Sequence, residues 1–526
     1  MSKIITLTDQ EAKLRQLLLD VSEYIGTLDG HAKPELRITG GWVRDKLLGS
    51  QSMDVDVGIN TMTGLEFGNL MKQYLNRPET KARYDQSILG RLAKIEANPE
   101  KSKHLETVTT RILGLDIDLV NLRKETYTED SRTPTMEFGT PEEDALRRDA
   151  TINALFYNLT TGEVEDFTGR GLQDMERKVI KTPLAPVQTF KDDPLRVLRC
   201  IRFASRLGYQ IAEEDEQAMM GDEIKNELKR KISRERVGVE ITKMLKGPNP
   251  HTALCLVDRL GLYDVVFTNP TDPEWVSVST TQWKRGYDQL LEITKASSVG
   301  VNSSSSLEKI ASLLLRDTDD AFLAWMLACF IPFAEMVARA PERSKSKRLP
   351  HPASLAAREG IKADNKIFTI VDNAISHREE IIRSKDEVNY DSQPSVVPSK
   401  RKQASSSREN QGQAIRRWGT YWRSSVLYAL LTEVTKTESL TEQQTILDVY
   451  ARWLSNLQAL NLLEVDRLKP IVNGNQLSEA LGIKSGRWTK KALDIAMGWQ
   501  LRNPEETDPA GGIAEVVERK EELGIA

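Results

Sequence analysis

Leu14, Leu17, Leu18, Val21, Tyr24 and Ile25 recur at helical spacing, and Thr8 with Glu11 fits a capping box that opens this first helix. From about Glu35 to Glu165 the period drops to two. Short alternating runs are broken by glycine and polar turns, as in Met53-Asp54-Val55-Asp56-Val57-Gly58-Ile59 and Leu115-Asp116-Ile117-Asp118-Leu119-Val120. Such runs predict strands with one apolar and one carboxylate-bearing face. Beyond about Lys181 the strand pattern nearly vanishes, and amphipathic helical patterns continue to the end. The chain therefore divides into a head mixing strands with helices and an all-helical remainder. Two segments break the helical part: residues 297–306 are serine-rich, and residues 384–413 hold little apolar material and read as a loop or linker. The most apolar run, 321–336, is interrupted by Pro332 and Glu335. It is shorter than the roughly 20 residues a bilayer requires, and so predicts a buried helix.

Composition changes this picture little. Hydrophobic residues make up 39% and charged residues 29% of 526, which fits a soluble chain of about three or four domains and excludes disorder throughout. The three cysteines, Cys200, Cys255 and Cys329, lie in apolar stretches without CxxC spacing and read as buried, reduced thiols of an intracellular protein. The 73 Lys and Arg against 77 Asp and Glu leave a net charge of -4, so a nucleic acid must meet a local basic patch. Residues 1–8 lack the apolar core of a signal peptide, and Asp9 and Glu11 argue against a mitochondrial presequence.

The densest chemistry is Gly40-Gly41-Trp42-Val43-Arg44-Asp45, followed by Asp54-Val55-Asp56. Carboxylates two apart on a strand share a face and suit one or two Mg²⁺ ions, which favour hard oxygen ligands. Asp118, on the other carboxylate-bearing strand, can complete the cluster. An EF-hand is a poor alternative, with Ile59 and Leu65 where its loop needs Gly and Glu. The glycine pair lets backbone amides approach a triphosphate, and Arg44 adds charge. In Arg147-Arg148-Asp149-Ala150-Thr151-Ile152-Asn153 the guanidiniums can hold phosphate, while Asp149 and Asn153 can bond a ribose hydroxyl. In Asp192-Asp193-Pro194-Leu195-Arg196-Val197-Leu198-Arg199-Cys200-Ile201-Arg202-Phe203, Pro194 predicts the first helical position and Asp193 the cap. Arg196, Arg199 and Arg202 share one face, which reads either as an exposed arginine stripe or as part of a base-selecting site. A fixed Asp acceptor beside a fixed Arg donor matches the Watson–Crick edge of cytosine and adenine, which present an amino donor beside a ring-nitrogen acceptor. Guanine and uracil reverse that order. Such a pair acts as a protein template.

These segments, with Asp166-Phe-Thr-Gly-Arg-Gly-Leu-Gln-Asp174 and Ser233-Arg-Glu-Arg236-Val-Gly-Val-Glu240, make the chain resemble the class II tRNA nucleotidyltransferases, the CCA-adding enzymes, in their fungal form. The resemblance is densest over residues 36–245, and residues 127–149 look like the eukaryotic family's flexible loop. It implies an α+β fold, a polymerase-β-like head with a mixed or antiparallel sheet (1–182), followed by an all-α neck that selects the base (183–250), a body (251–383), a flexible linker (384–413) and a tRNA-binding tail (414–526). It further implies that Asp54 and Asp56 bind Mg²⁺, as two ions, and activate the primer 3′-hydroxyl; Asp118, from the other carboxylate-bearing strand, is the third catalytic candidate. Gly40, Gly41 and Arg44 would contact phosphates, Arg148, Asp149 and Asn153 ribose and phosphate, and Asp193 and Arg196 the base, supported by Arg199 and Arg202. The segment Asp166 to Asp174 would be the hinge between adding C and adding A. Position 192 is Asp where the family commonly has Glu, a mild departure that leaves Asp193 and Arg196 intact.

The implied partners are tRNA, CTP and ATP, with no membrane and no obligate protein partner. Lys345, Lys347, Arg348, Arg416 and Arg417 are candidate tRNA contacts against an ordinary solvated surface, and Lys484 and Arg487, in a turn of glycines and cations between two helices, against a simple helix connection. A CC-adding or A-adding specialist, a poly(A) polymerase and a catalytically idle tRNA-binding protein are the competing readings, the last opposed by intact Asp54 and Asp56. No histidine precedes an aspartate, which argues against a His-Asp phosphohydrolase activity. The start predicts cytoplasm or nucleus, with a mitochondrial form available from an upstream start.

Overall fold

The computed structural model describes residues 4–81, 83–84, 93–95, 107–128, 131–272, 274–275, 277–297, 305–337, 350–391 and 407–525. The chain forms two compact units, 1–266 and 267–526. The first holds the strand-bearing head and the helices that follow it through Pro250–Arg259 and Tyr263–Val266.

The period-two stretch becomes β1 (Leu36–Thr39), β2 (Asp54–Ile59), β3 (Ala93–Ile95), β4 (Thr107–Ile112), β5 (Leu115–Asn121), β6 (Arg123–Thr128), β7 (Ser131–Phe138), β8 (Leu155–Asn158) and β9 (Val164–Asp166). Seven form one mixed sheet in the order β3-β4-β5-β2-β1-β8-β9, and β6 with β7 makes a separate hairpin. Neighbours in the sheet run antiparallel except β2 and β5. That parallel pairing builds the site, because its register sets Asp54 opposite Asp116 and Asp56 opposite Asp118. Val55, Val57, Ile117 and Leu119 consequently point the other way and are fully buried. The helix Gly64–Asn76 lies against β4 and β5, and a Cβ at Gly64 would stand 2.1 Å from the Leu119 carbonyl oxygen, so only glycine permits that approach. The opening helix, Asp9–Gly26, carries the expected capping box between Thr8 and Glu11.

Past residue 181 the only further strand among the described residues is Gln210–Ile211, paired in parallel with Val179–Ile180. The second unit is helical, with Trp422–Val434 buried on nearly every face at its centre. The apolar run 321–336 is buried through Thr318–Ala328 and the short turn Ile331–Phe333. Among the described residues no helix is long and apolar enough to cross a membrane. The helix Asn365–Asp391 extends into the expected linker, because Ile381, Lys385 and Val388 keep one buried stripe while Asp386 and Glu387 stay outside it. The next helix begins at Arg408; residues 392–406, like 298–304, lie outside the described residues. Cys200 and Cys329 are buried as expected, whereas Cys255 is half-buried; none is in a disulfide.

Candidate active site

The carboxylate face of β2 and β5 forms the floor of a cavity of about 600 Å³ in the first unit. Ligand oxygens of Asp54, Asp56 and Asp118 lie within 4.8 Å of one another, an all-oxygen donor set that can hold a divalent cation. Burial, then the charges of Asp118 and Asp116, push the Asp54 carboxyl above the usual range. Burial pushes Asp56 further, to about 6, against the opposing pull of Arg148 and with help from Asp54 and Asp118. Three carboxylates held this close repel, and a cation among them removes the repulsion.

Asp56 yields a stability prediction. A rise from the usual aspartate range to about 6 corresponds to ~3 kcal/mol of preference for the protonated form. Since the folded value lies above the unfolded one, this contribution is fully present below about pH 4 and lost as pH rises through 6. Asp56→Asn is therefore expected to stabilise the metal-free protein at pH 8 by up to ~3 kcal/mol, with the advantage shrinking towards pH 4. Thermal unfolding with a chelator across that range checks it; a variant no more stable than wild type at pH 8 would contradict the repulsion.

Above the floor, every residue expected to contact nucleotide lines the cavity: Gly40, Gly41, Arg44, Arg148, Asp149, Asn153, Asp193, Arg196, Arg199 and Arg202. Gly40 has φ 72°, and a Cβ there would stand 2.9 Å from Arg148 Nη1. Its N–H is spent on the Leu155 carbonyl at 3.2 Å, so the pair does not offer two amides as expected. Gly41 opens the helix Gly41–Leu47, and its amide belongs to the first turn, which has no partner within a helix. Arg44 is buried, with Nε on Asp45 at 2.8 Å and Nη1 on the Asn153 side-chain oxygen; burial lowers its pKa. Asn153 donates to Asp149 Oδ1 at 3.0 Å, and Arg199 Nε to Asp149 Oδ2 at 2.5 Å. Burial favours the neutral form of Asp149, but Arg199 and Asn153 outweigh it and hold the carboxyl down at about 2. The two RRD guanidiniums are fixed from behind by Asp144, which takes Arg147 Nε at 3.0 Å and Arg148 Nη2 at 2.7 Å.

The helix carrying the arginine stripe starts at Leu195, with Pro194 at the cap position, one residue later than expected. Asp193 still serves the end, since its Oδ1 accepts from Leu195 N–H at 3.1 Å. Arg196 is buried, donating to the carbonyls of Thr189 at 3.2 Å and Arg147 at 2.6 Å. Arg202 donates to Glu240 at 2.5 Å. The stripe is thus a cavity wall and not a solvated face. Phe203 sits inside it, with Arg202, Arg199 and Arg44 at 4.4, 5.5 and 5.7 Å from the ring centre. Asp192, the family departure, does not line the cavity and is held by Gln188 at 2.7 Å.

Sequence reasoning gave no site role to Phe203, Arg206, Arg236, Arg123 or Glu125, which also line the cavity, or to Asp144 behind it, although Arg236 stands in one of the segments that carry the resemblance. Arg206 was accessible, since it continues the Arg199–Arg202 face by one turn. Arg123 and Glu125 come from the β6–β7 hairpin, and nothing local ties that hairpin to this wall. Of the candidate tRNA contacts, Lys345, Lys347 and Arg348 lie outside the described residues. Arg416 Nη1 is engaged with the carbonyls of Val465 at 2.9 Å and Leu468 at 2.7 Å, and Arg417 pairs with Glu380 at 2.6 Å. Lys484 and Arg487 are exposed at the turn before Trp488–Arg502.

Residues 36–181 match the Poly A polymerase head domain, and residues 208–275 match the probable RNA and SrmB-binding site of polymerase A. The chain is 40% identical to Nucleotidyltransferase lcsQ of Purpureocillium lilacinum, over 100% of this chain and 94% of that protein. It is 38% identical to the mitochondrial CCA tRNA nucleotidyltransferase of Saccharomyces cerevisiae, over 96% and 92%. A CCA-adding enzyme in an apo form superposes with a TM-score of 0.63 at 18% identity, over 98% of this chain and 96% of that one, and so shares the fold. The head-domain match covers the strands that carry the three carboxylates, and the relatives align along almost their entire length: the chain belongs to the tRNA nucleotidyltransferase and poly(A) polymerase family.

Proposed function

We propose that this protein adds C, C and A in turn to the 3′ end of tRNA without a nucleic-acid template, taking CTP and ATP and releasing pyrophosphate. The observation that carries this reading is the presence, in one cavity, of a three-carboxylate cluster and of Asp193 with Arg196. Asp54, Asp56 and Asp118 would hold Mg²⁺, as two ions, whose charge assists ionisation of the primer hydroxyl and stabilises the leaving oxygen. The terminal 3′ oxygen of the tRNA attacks the α-phosphorus in line; a new P–O bond forms as the bond to the β-phosphate bridging oxygen breaks, and pyrophosphate leaves. Arg44 and Arg148 bind the triphosphate, and Asp149 with Asn153 orients the ribose. Asp193 accepts from the base amino group while Arg196 donates to the ring nitrogen, which admits C and A. Exposed Lys484 and Arg487 are suited to tRNA phosphates on the helical tail. Cytoplasm and nucleus are the proposed compartments, with a mitochondrial form in keeping with the name of the yeast relative.

The test is extension of a labelled tRNA lacking its 3′ CCA, with Mg²⁺ and CTP alone, ATP alone, or both, and with GTP and UTP as controls. Two residues are expected with CTP and a third only when ATP is present. Arrest after two residues with both nucleotides would mean a CC-adding specialist, a long A tail a poly(A) polymerase, and no extension a binding protein.

A further inference from the structure

Asp193 supplies the acceptor half of the base-reading pair, and its carboxylate is held from two sides. Oδ1 accepts the Leu195 N–H and Oδ2 accepts Nη2 of Arg236, each at 3.1 Å. The terminal torsion of an aspartate is broad, so either contact alone leaves the carboxylate free to turn about its axis; the two together set its plane. Each oxygen keeps a further acceptor site, because an ionised carboxyl offers about four lone-pair positions. The plane matters because the acceptable and rejected bases differ only in the order of donor and acceptor along one edge.

Arg236 comes from a different helix, Arg234–Leu245, that is fastened independently of it. Arg234 is buried and donates to the carbonyls of Val265, at 2.9 Å, and Val266. The Arg236–Asp193 pair itself stands at the cavity wall, with the two side chains 16% and 21% exposed. Removing the Arg236 guanidinium thus leaves its helix anchored and takes one constraint from Asp193.

We infer that Arg236 is a positioning residue for nucleotide specificity: it acts through Asp193, holding the carboxylate in the orientation that distinguishes C and A from U and G. This rests on the base-reading role proposed for Asp193, and the experiment separates the two. Rates of single-nucleotide addition are measured with CTP and UTP on tRNA lacking CCA, and with ATP and GTP on tRNA ending in CC. Arg236→Gln, Arg236→Lys, Asp193→Asn and the double variant Asp193→Asn with Arg236→Gln are compared, with Arg236→Met in place of the glutamine variant should that one not fold.

Arg236→Gln is expected to lower the preference for C over U and for A over G, in kcat/KM, by about tenfold or more, the scale of one charge-assisted hydrogen bond. Arg236→Lys, which keeps a cationic donor, falls between it and wild type. The double variant discriminates no worse than Asp193→Asn alone, while thermal unfolding and tRNA retention stay unchanged. An equal loss for all four nucleotides would make Arg236 merely structural and overturn the inference. Discrimination lost in Asp193→Asn but intact in Arg236→Gln would overturn it too, leaving the base-reading role standing. Discrimination intact in Asp193→Asn would remove the base-reading role itself, and the inference with it.

Discussion

Replacing Asp54 and Asp56 together by alanine is expected to cut nucleotide incorporation to below about a thousandth of the wild-type rate, with tRNA retention unchanged. The two side chains supply two of the three clustered ligand oxygens, and Asp118 alone cannot hold a cation of this kind against water. The fold does not depend on them. β2 is held by its ladder to β1 and β5 and by Val55, Val57 and Ile59, which are completely buried on the opposite face. Asp54 is exposed, and both carboxyls are pushed up in the free protein, so their removal relieves repulsion. Incorporation of labelled CTP, together with filter binding of the same tRNA, checks both halves. Substantial Mg²⁺-dependent incorporation by the double variant would disprove the role given to these carboxylates. Loss of tRNA retention would mean that they shape the binding surface as well.

What made the floor of the site readable was strand periodicity. Alternation of valine and aspartate over β2, and of isoleucine or leucine with aspartate over β5, places the carboxylates on one face whatever the strand order is. The register that sets Asp56 beside Asp118 was not readable, because the parallel β2–β5 pairing joins segments separated by the helix Gly64–Asn76 and by β3 and β4. The arginine wall shows the same division. Helical spacing groups Arg196, Arg199 and Arg202, yet it cannot tell a solvated stripe from a buried one. The difference lies in Asp149 and Glu240, partners 50 and 38 residues away. The extent of Asn365–Asp391 was missed because charged residues dominate its last turns, and its apolar stripe there is only Ile381 and Val388, with the stem of Lys385 between them.

A single substitution at Asp144 should cost the head several kcal/mol of stability. Its carboxylate is 1% exposed and accepts from Arg147 and Arg148 through four guanidinium N–H groups, and from the Arg123 backbone N–H at 3.3 Å. Burial alone would raise its pKa, but Arg148 and Arg147 outweigh burial and hold it well below the usual carboxylate range. Asp144→Ala leaves two cavity guanidiniums without their shared counter-charge and the Arg123 amide without its acceptor, and is expected to destabilise the first unit by ~3–5 kcal/mol at pH 7. Asp144→Asn, which keeps the shape and one acceptor oxygen, should fall between it and wild type. The nucleotide KM should rise in both, since Arg148 is no longer held over the floor. Because the folded pKa is depressed, the contribution of Asp144 is present above about pH 4 and lost as pH falls below that. Asp149, held down at about 2, follows the same course. The gap between wild type and Asp144→Ala in denaturant unfolding should therefore be widest near neutrality and narrow below pH 4. An alanine variant within about 1 kcal/mol of wild type at pH 7 would mean that the two arginines are positioned by the cavity wall and not by Asp144.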